Sequence, residues 1–212
     1  MAILFGGKVK ILTITQAQIT ERLRQSYHAD TLPSTDGYVG RPAEQTVNPL
    51  KCAAVLIPLT FYADEWHLLF TRRADTLNDH SGQVAFPGGH CDAEDETLEE
   101  TALREADEEI GLKAKDIQIL GRINEVRTVT NYRITPVVGV FPWAYAFFVS
   151  TIEVARVFTM PLNWLADPKN YWQFQHPKAT HPTIAYQPYD GELLWGATAR
   201  ITVNFLKTVL KA

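Results

Sequence analysis

Residues 97–110, read TLEETALREADEEI, carry the clearest helical pattern in this chain. Thr97 and Glu100 have the spacing of a capping box, and Gly111 is the residue type that most often follows a helix end. At about 100° per residue, one stripe of the helix is apolar: Leu98, Ala102, Ala106 and Ile110. The stripe has to be buried, so the chain is expected to supply an apolar surface for it.

Three carboxylates gather in the sector beside that stripe: Glu105, Glu108 and Glu109. Like charges three and four residues apart destabilise a helix by about 0.2–0.5 kcal/mol per pair, and the helix dipole disfavours anions in the C-terminal half. Arg104 offsets part of this cost, and Asp107 points off the face. A solvated surface is the ordinary explanation of an acidic run. A hard divalent cation would relieve all of the costs, so the segment predicts a metal site.

The rest of the chain predicts a mixed sheet with helices on its faces, which is an α/β (α+β) class. We expect residues 1–50 to form an N-terminal helix and arm packed on a body over residues 51–212, in one globular domain. The predicted helices cover 14–27, 97–110 and 197–211, with a loop or arm over 30–48. The predicted strands are a hairpin over 52–73, a pair at 117–126 and 132–141, a strand at 153–160 and a closing strand at 193–195.

Charge and cysteine content narrow the functional classes. The net charge of −4 gives no basic surface for nucleic-acid binding. No apolar stretch is long enough for a membrane span, and the start, MAILFGGKVK, lacks the pattern of a secretory leader. Cys52 and Cys91 have no metal-type spacing and suggest no disulfide framework, which fits a reducing compartment. We therefore expect a cytoplasmic protein without nucleic-acid or membrane partners; the oligomeric state is left open.

Residues 88–112, GGHCDAEDETLEETALREADEEIGL, resemble a Nudix box, G-x5-E-x7-R-E-U-x-E-E-x-G-U with U apolar. Glu96 takes the isolated glutamate position. The second half matches without a gap: Arg104, Glu105, Ala106, Glu108, Glu109, Gly111 and Leu112. The sequence departs from the pattern in spacing, because six residues rather than five separate Gly89 from Glu96. The resemblance implies a Nudix-type α/β/α sandwich.

The segment upstream, LLFTRRADTLNDHSGQVAFPGG, is similar to the extra motif of the coenzyme A pyrophosphatase branch of that family, which has the same one-residue expansion. Asn78 stands at or beside the position of the second arginine of that motif. Further similarity at 135–141, 153–165 and 195–201 extends the resemblance over about residues 51–210. It implies hydrolysis of coenzyme A or its acyl derivatives to 3′,5′-ADP and 4′-phosphopantetheine, by water attack on phosphorus.

The resemblance also implies roles for the acidic helix. Glu105 and Glu109, with Glu108 third, would hold Mg²⁺ or Mn²⁺, and the Gly88 carbonyl is a further candidate ligand. Arg104 would orient a glutamate by a charge-assisted hydrogen bond. Glu105 is the preferred general base. The alternative base is Glu153, for which an ordinary surface charge is an equal explanation.

Candidate substrate contacts lie next to residues 86–90, FPGGH, which we name the glycine turn. Arg72, Arg73 and Gly89 are expected to meet the phosphates, although a solvated arginine pair is the simpler alternative. His80 and His90 are interpreted as polar loop residues, and the aromatic residues over 164–195 as core or as a stacking surface. Two other functions stay open: hydrolysis of ADP-ribose, a dinucleotide or an oxidised nucleotide, and a catalytically silent Nudix-fold binding module. The intact set of glutamates disfavours the silent module.

Overall fold

A computed structural model describes residues 13–28, 34–35, 50–77, 79–128, 130–175 and 182–210. The N-terminal segment 1–10, most of the predicted arm over 30–48 and Asn78 lie outside the described residues. Among the described residues, no helix is long and apolar enough to cross a membrane.

The predicted hairpin forms the centre of the main sheet. Its strands are β2 (Lys51–Tyr62) and β3 (Glu65–Arg73), joined at Ala63 and Asp64, which both have positive φ. Such backbone angles match the twist of a tight hairpin turn. The other strands of this sheet are β1 (Ser34–Thr35), β4 (Val84–Ala85), β5 (Gly88–His90), β6 (Gln118–Arg122), β7 (Val126–Arg127), β8 (Tyr132–Val140) and β9 (Val154–Pro161).

The sheet is mixed, and two different strands pair with separate parts of the same edge of β2. It runs parallel to β8 along the other edge. On the divided edge, residues 53–55 pair with β5 and residues 59–62 pair with β3. Strand β3 continues away from β2 and pairs with β9 and β4. The glycine turn therefore enters where β2 and β3 separate.

Helices cover both faces of the sheet, as predicted. Helix α2 (Leu98–Ile110) packs on one face, where Ala102, Ala106 and Ile110 are fully buried against residues of β2, β3 and β8. Helices α1 (Gln16–Ser26), α3 (Leu162–Ala166) and α4 (Gly196–Val209) enclose the larger core on the opposite face. This arrangement is an α/β/α sandwich around a mixed sheet, so the predicted fold class is confirmed.

Local signals at the helix ends were mostly correct. Thr15 and Gln18 form a complete capping box on α1. At α2, Thr97 accepts a hydrogen bond from the Glu100 N–H, but the capping box is incomplete. The Glu100 carboxylate accepts from the Glu96 N–H instead, at 2.7 Å.

The prediction that residues 193–195 close the main sheet is wrong. Strands β10 (Tyr171–Phe174) and β11 (Thr183–Tyr186) form a separate two-stranded sheet, and Trp195 makes one isolated bridge to its Ala185. The segment lies between residues with positive φ at Gly191 and Gly196. These turns leave too short an extended run for a ladder.

Candidate active site

The glutamates of α2 differ in burial because the helix tilts one side of its acidic sector toward the sheet. Glu109 is 4% exposed, the Glu105 side chain is 17% exposed, and the Glu108 side chain is 59% exposed. Asp107 lies off this face and pairs with Lys113 at 2.6 Å, as the helical periodicity predicts. Two of the three glutamates are thus largely buried, and only Glu108 lies on a solvated surface.

The glycine turn lies against this acidic sector. A Cβ at Gly89 would lie 2.5 Å from the Glu105 carboxyl carbon, and one at Gly88 would lie 2.4 Å from the Ala54 carbonyl oxygen. Both positions therefore require glycine for close approach, and Gly88 also has a φ of +155° that other residues rarely adopt. The turn brings backbone groups to the carboxylates, as its sequence suggested.

Arg104 joins the loop before α2 to the glutamates on it. Its Nε and Nη2 bind Asp95 at 3.1 and 2.9 Å, and Nη2 also donates to the His90 carbonyl at 3.0 Å. Its Nη1 donates to Glu105 at 2.9 Å and to Glu108 at 3.3 Å. A guanidinium has five N–H donors, and these five contacts use all of them. We name Arg104, Asp95, His90, Glu105 and Glu108 the Arg104 cluster. Its contacts leave no N–H of Arg104 for a substrate.

Sequence reasoning missed Asp95. The motif alignment places Glu96 in the box, but the carboxylate on Arg104 belongs to the preceding residue. The Asp95 side chain is 8% exposed, and its pair of hydrogen bonds with Arg104 holds the pKa of Asp95 well below its usual range. Spacing contained the signal, because with the five intervening residues of the unexpanded pattern, 90–94, the acid that follows Gly89 is Asp95.

Glu109 is a buried carboxylate with an unsatisfied oxygen. Its Oε2 has no hydrogen-bond partner among the described residues, while the Gly88 backbone donates to the carboxylate. The pKa of Glu109 is raised to about 8, chiefly by burial; the charge of Arg73 lowers it, and those of Glu105 and Glu153 also raise it. Burial also raises the pKa of Glu105. Buried acids with strongly shifted pKa values mark functional sites more often than structural ones.

The loop between β8 and β9 brings Glu153 to the same place. Its Phe148 and Ser150 N–H groups donate to the carbonyls of Ile110 and Glu109 at 3.0 and 2.9 Å. Glu153 follows, and its own carbonyl accepts from Ala74 N–H at 2.8 Å. The Glu153 charge raises the pKa of both Glu105 and Glu109, so these three carboxylates are neighbours in space although 44 residues separate Glu109 from Glu153.

Arg72 and Arg73 point to opposite faces of β3, because side chains alternate along a strand. Arg73 faces α2, where its charge acts on Glu109 and its Nε is buried without a partner among the described residues. Arg72 faces the other side and pairs with Asp75 and Glu192. Glu192 also binds Arg156, and Arg156 binds Asp190. We name these five residues the Glu192 cluster. Substrate binding by Arg72 stays a prediction.

The remaining candidates contact other protein groups. His80 hydrogen-bonds Gln83 at 3.0 Å, and His90 hydrogen-bonds the Tyr132 hydroxyl at 2.5 Å. Trp164 packs in the larger core. Trp172 and Trp195 are each 41% exposed, and residues 176–181 of this aromatic stretch lie outside the described residues.

The expectation of unbridged cysteines is wrong. Cys52 of β2 and Cys91 form a disulfide, with Cα atoms 5.4 Å apart. The backbone pairing of β2 with β5 places the two residues side by side, which the separation of 39 residues in the sequence concealed. The bridge ties the glycine turn to the sheet. The compartment stays a prediction.

The site suits a divalent cation in its chemistry. Oxygen ligands from carboxylates are those that Mg²⁺ and Mn²⁺ prefer, and the unsatisfied Glu109 Oε2 and the close approach of Gly89 to Glu105 fit that role. Within the part of the chain that the structure describes, no three acidic, histidine or cysteine side chains already form a metal cage. Glu105 accepts a hydrogen bond from Arg104 through Oε1.

The chain belongs to the Nudix family, since residues 51–181 match the NUDIX domain. It is 39% identical over 158 residues to the uncharacterized Nudix hydrolase NudL of Yersinia pestis strain Pestoides F, covering 74% of this chain and 79% of that one. The NudL protein of Yersinia pseudotuberculosis serotype O:1b gives the same values. A MutT/nudix family protein from Enterococcus faecalis shares the fold, with a TM-score of 0.50 and 15% identity over 98% of this chain and 76% of its own. The protein is accordingly a hydrolase of the Nudix type.

Proposed function

We propose that this Nudix hydrolase is a divalent-metal-dependent pyrophosphohydrolase that cleaves coenzyme A or its acyl derivatives to 3′,5′-ADP and (acyl-)4′-phosphopantetheine. The observation that supports the hydrolytic site is the proximity of Glu105, Glu109 and Glu153 to Arg73, a half-buried side chain whose Nε is buried. The upstream motif over residues 68–89 supports the choice of substrate.

Glu105, Glu109 and Glu108 are the proposed metal ligands, with the Gly88 carbonyl as a fourth. Mg²⁺ or Mn²⁺ bound there would neutralise pyrophosphate charge and lower the pKa of an attacking water. Glu105 would serve as the general base that takes a proton from the attacking water, and Arg104 holds Glu105 in place. Burial raises the pKa of Glu105, which makes its carboxylate a stronger base near neutral pH.

Two groups of this chain are proposed to hold the substrate. Arg73 offers an unpaired Nε on the side of Glu109, where it pairs with a phosphate oxygen. The Gly89 backbone lies against Glu105 without a side chain to obstruct a phosphate. A small molecule of the coenzyme A type is the proposed ligand, and nucleic acids and membranes are not proposed as partners. The cytoplasm remains the proposed compartment, although the Cys52–Cys91 disulfide removes the cysteine argument for it.

A substrate panel tests the proposal. Coenzyme A, acetyl-coenzyme A, ADP-ribose and 8-oxo-dGTP are incubated in parallel with the protein and Mg²⁺ or Mn²⁺, and products are identified by mass. We expect 3′,5′-ADP from the first two, and ¹⁸O from labelled water in one of the phosphate products. Cleavage of ADP-ribose or 8-oxo-dGTP alone would replace the substrate assignment. No cleavage of any compound would favour the silent binding module.

The identity of the base is tested with E105Q and E153Q. General-base catalysis contributes about 100- to 10,000-fold to a rate, and its loss removes the acidic limb of the pH–rate profile. We expect that limb to disappear in E105Q and to persist in E153Q. The reverse result would assign the proton transfer to Glu153.

A further inference from the structure

We infer that Asp95, and not the motif residue Glu96, is the positioning residue that holds Arg104 and, through it, the glutamates of α2. The inference rests on the proposed metal site. It concerns a residue one position away from the one that the family pattern selects. Asp95 itself contacts neither metal nor substrate in this scheme.

The Asp95 carboxylate accepts four hydrogen bonds. Two contacts are those from Arg104 described above. The Asp92 N–H donates to Oδ2 at 3.0 Å, and the Thr101 hydroxyl donates to the same oxygen at 2.8 Å. Thr101 is fully buried within α2. The carboxylate is therefore fixed both to its own loop and to the helix that carries the glutamates.

Glu96 has a different environment. Its backbone N–H donates to Glu100, and its side chain makes no contact with Arg104 within the described structure. Glu96 is exposed, whereas the Asp95 side chain is 8% exposed. In this chain the acid that binds Arg104 is therefore an aspartate, one position before the glutamate that the family pattern selects.

The consequence for the site follows from the geometry of a guanidinium. Asp95 binds Nε and Nη2 side by side, a two-point contact that fixes the plane of the group. A fixed plane directs Nη1 toward Glu105 and Glu108. Without Asp95, Arg104 can rotate, and the two glutamates lose the donor that sets their rotamers. Partners of this kind change metal affinity by about 10- to 100-fold when removed.

Mn²⁺ binding, measured by calorimetry and by electron paramagnetic resonance, tests this without reference to turnover. We expect D95N to bind Mn²⁺ at least about 10-fold more weakly than wild type, and E96Q to stay within about 2-fold. In an R104Q background, D95N should add less than about 2-fold, because a residue that acts through Arg104 has nothing left to position. The milder variant T101V removes one support of Asp95 and should weaken binding in the same direction, which keeps the test available if D95N does not fold.

Each contrary result has a separate meaning. Unchanged Mn²⁺ affinity in both D95N and T101V, an equal loss in E96Q, or a full additional loss in the R104Q background would overturn the inference. Wild-type protein that binds Mn²⁺ but cleaves no compound of the substrate panel would overturn the proposed activity and leave the inference standing. Wild-type protein that binds no Mn²⁺ would overturn the proposed metal-dependent function, and the inference would fall with it.

Discussion

The Arg104 cluster and the Glu192 cluster are built from the same residue types on opposite faces of one sheet, yet they differ in charge balance. In the Glu192 cluster, Glu192 lies between Arg72 and Arg156, and Asp75 and Asp190 complete the pairs. The N–H groups of Arg104 are all used as well, but Glu109 on the same helix has an oxygen without a hydrogen-bond partner among the described residues and a pKa raised to about 8.

The difference shows that an ion network does not by itself mark a site. Glu192 is 12% exposed on its side chain and has both of its oxygens engaged by arginines, so the cluster is complete as it stands. Glu109 is more deeply buried and lacks comparable compensation. A buried acid left in this state is costly to folding, and a bound cation offsets that cost. Substitutions in the two regions should distinguish a group of charges that binds a cation from one that is already compensated.

The largest effect is expected from E105Q. Loss of the proposed base and metal ligand should lower kcat by about 1000-fold in Mg²⁺. The matched control is D107N on the same helix, where Asp107 binds Lys113 on another face and turnover should stay within about 2-fold. Equal turnover in E105Q and wild type would contradict the proposed mechanism.

The disulfide should contribute the next largest effect. Cys52 and Cys91 close a loop of 39 residues beside the Arg104 cluster, and such a bridge typically contributes about 2–4 kcal/mol to the free energy of unfolding. The C52S/C91S double variant should lose this amount in urea denaturation and become insensitive to dithiothreitol. A wild-type midpoint that dithiothreitol leaves unchanged would argue against a bridged pair in solution.

In the metal-free protein, Glu109 should make the free energy of unfolding fall as pH rises. Because burial raises the folded-state pKa of Glu109 from 4.5 to about 8, its protonated form stabilises the fold most below pH 4.5, and this contribution is lost as pH rises through about 8. In EDTA, the urea midpoint of wild type should therefore fall relative to that of E109Q between these pH values. A constant difference between the two proteins across this range would show that Glu109 titrates normally.

The smallest effect is expected in the comparison cluster. E192Q should lower the free energy of unfolding by about 1 kcal/mol, because the arginines that it contacts are partly solvated. Its Mn²⁺ affinity should equal that of wild type, since Glu192 lies on the other face of the sheet. A weakened Mn²⁺ affinity in E192Q would mean that the two clusters are coupled.

Local patterns in the sequence were sufficient for α2, its Thr97 cap and the glycine turn, because periodicity and residue type within a few positions determine these features. The contacts of Glu153 and Cys52 depend on how strands pair and on how a loop returns to a helix end, and one-dimensional spacing does not contain that information. Asp95 was accessible from the sequence, because the unexpanded spacing counted from Gly89 ends on it. The separation of Arg72 from Arg73 was accessible in principle, since adjacent residues on a strand face opposite sides.

The two backbone hydrogen bonds from Phe148 and Ser150 to the end of α2 link the motion of Glu153 to the integrity of that helix. If the loop backbone moved away from α2, these two bonds to the last helical turn would break, so we expect loop and helix terminus to open together as one cooperative unit. Amide hydrogen exchange at Ser150 and Phe148 should consequently slow in parallel when Mn²⁺ is added. The loop brings Glu153 close to α2, and its backbone N–H groups also bind the carbonyls at the end of the helix that carries Glu105 and Glu109.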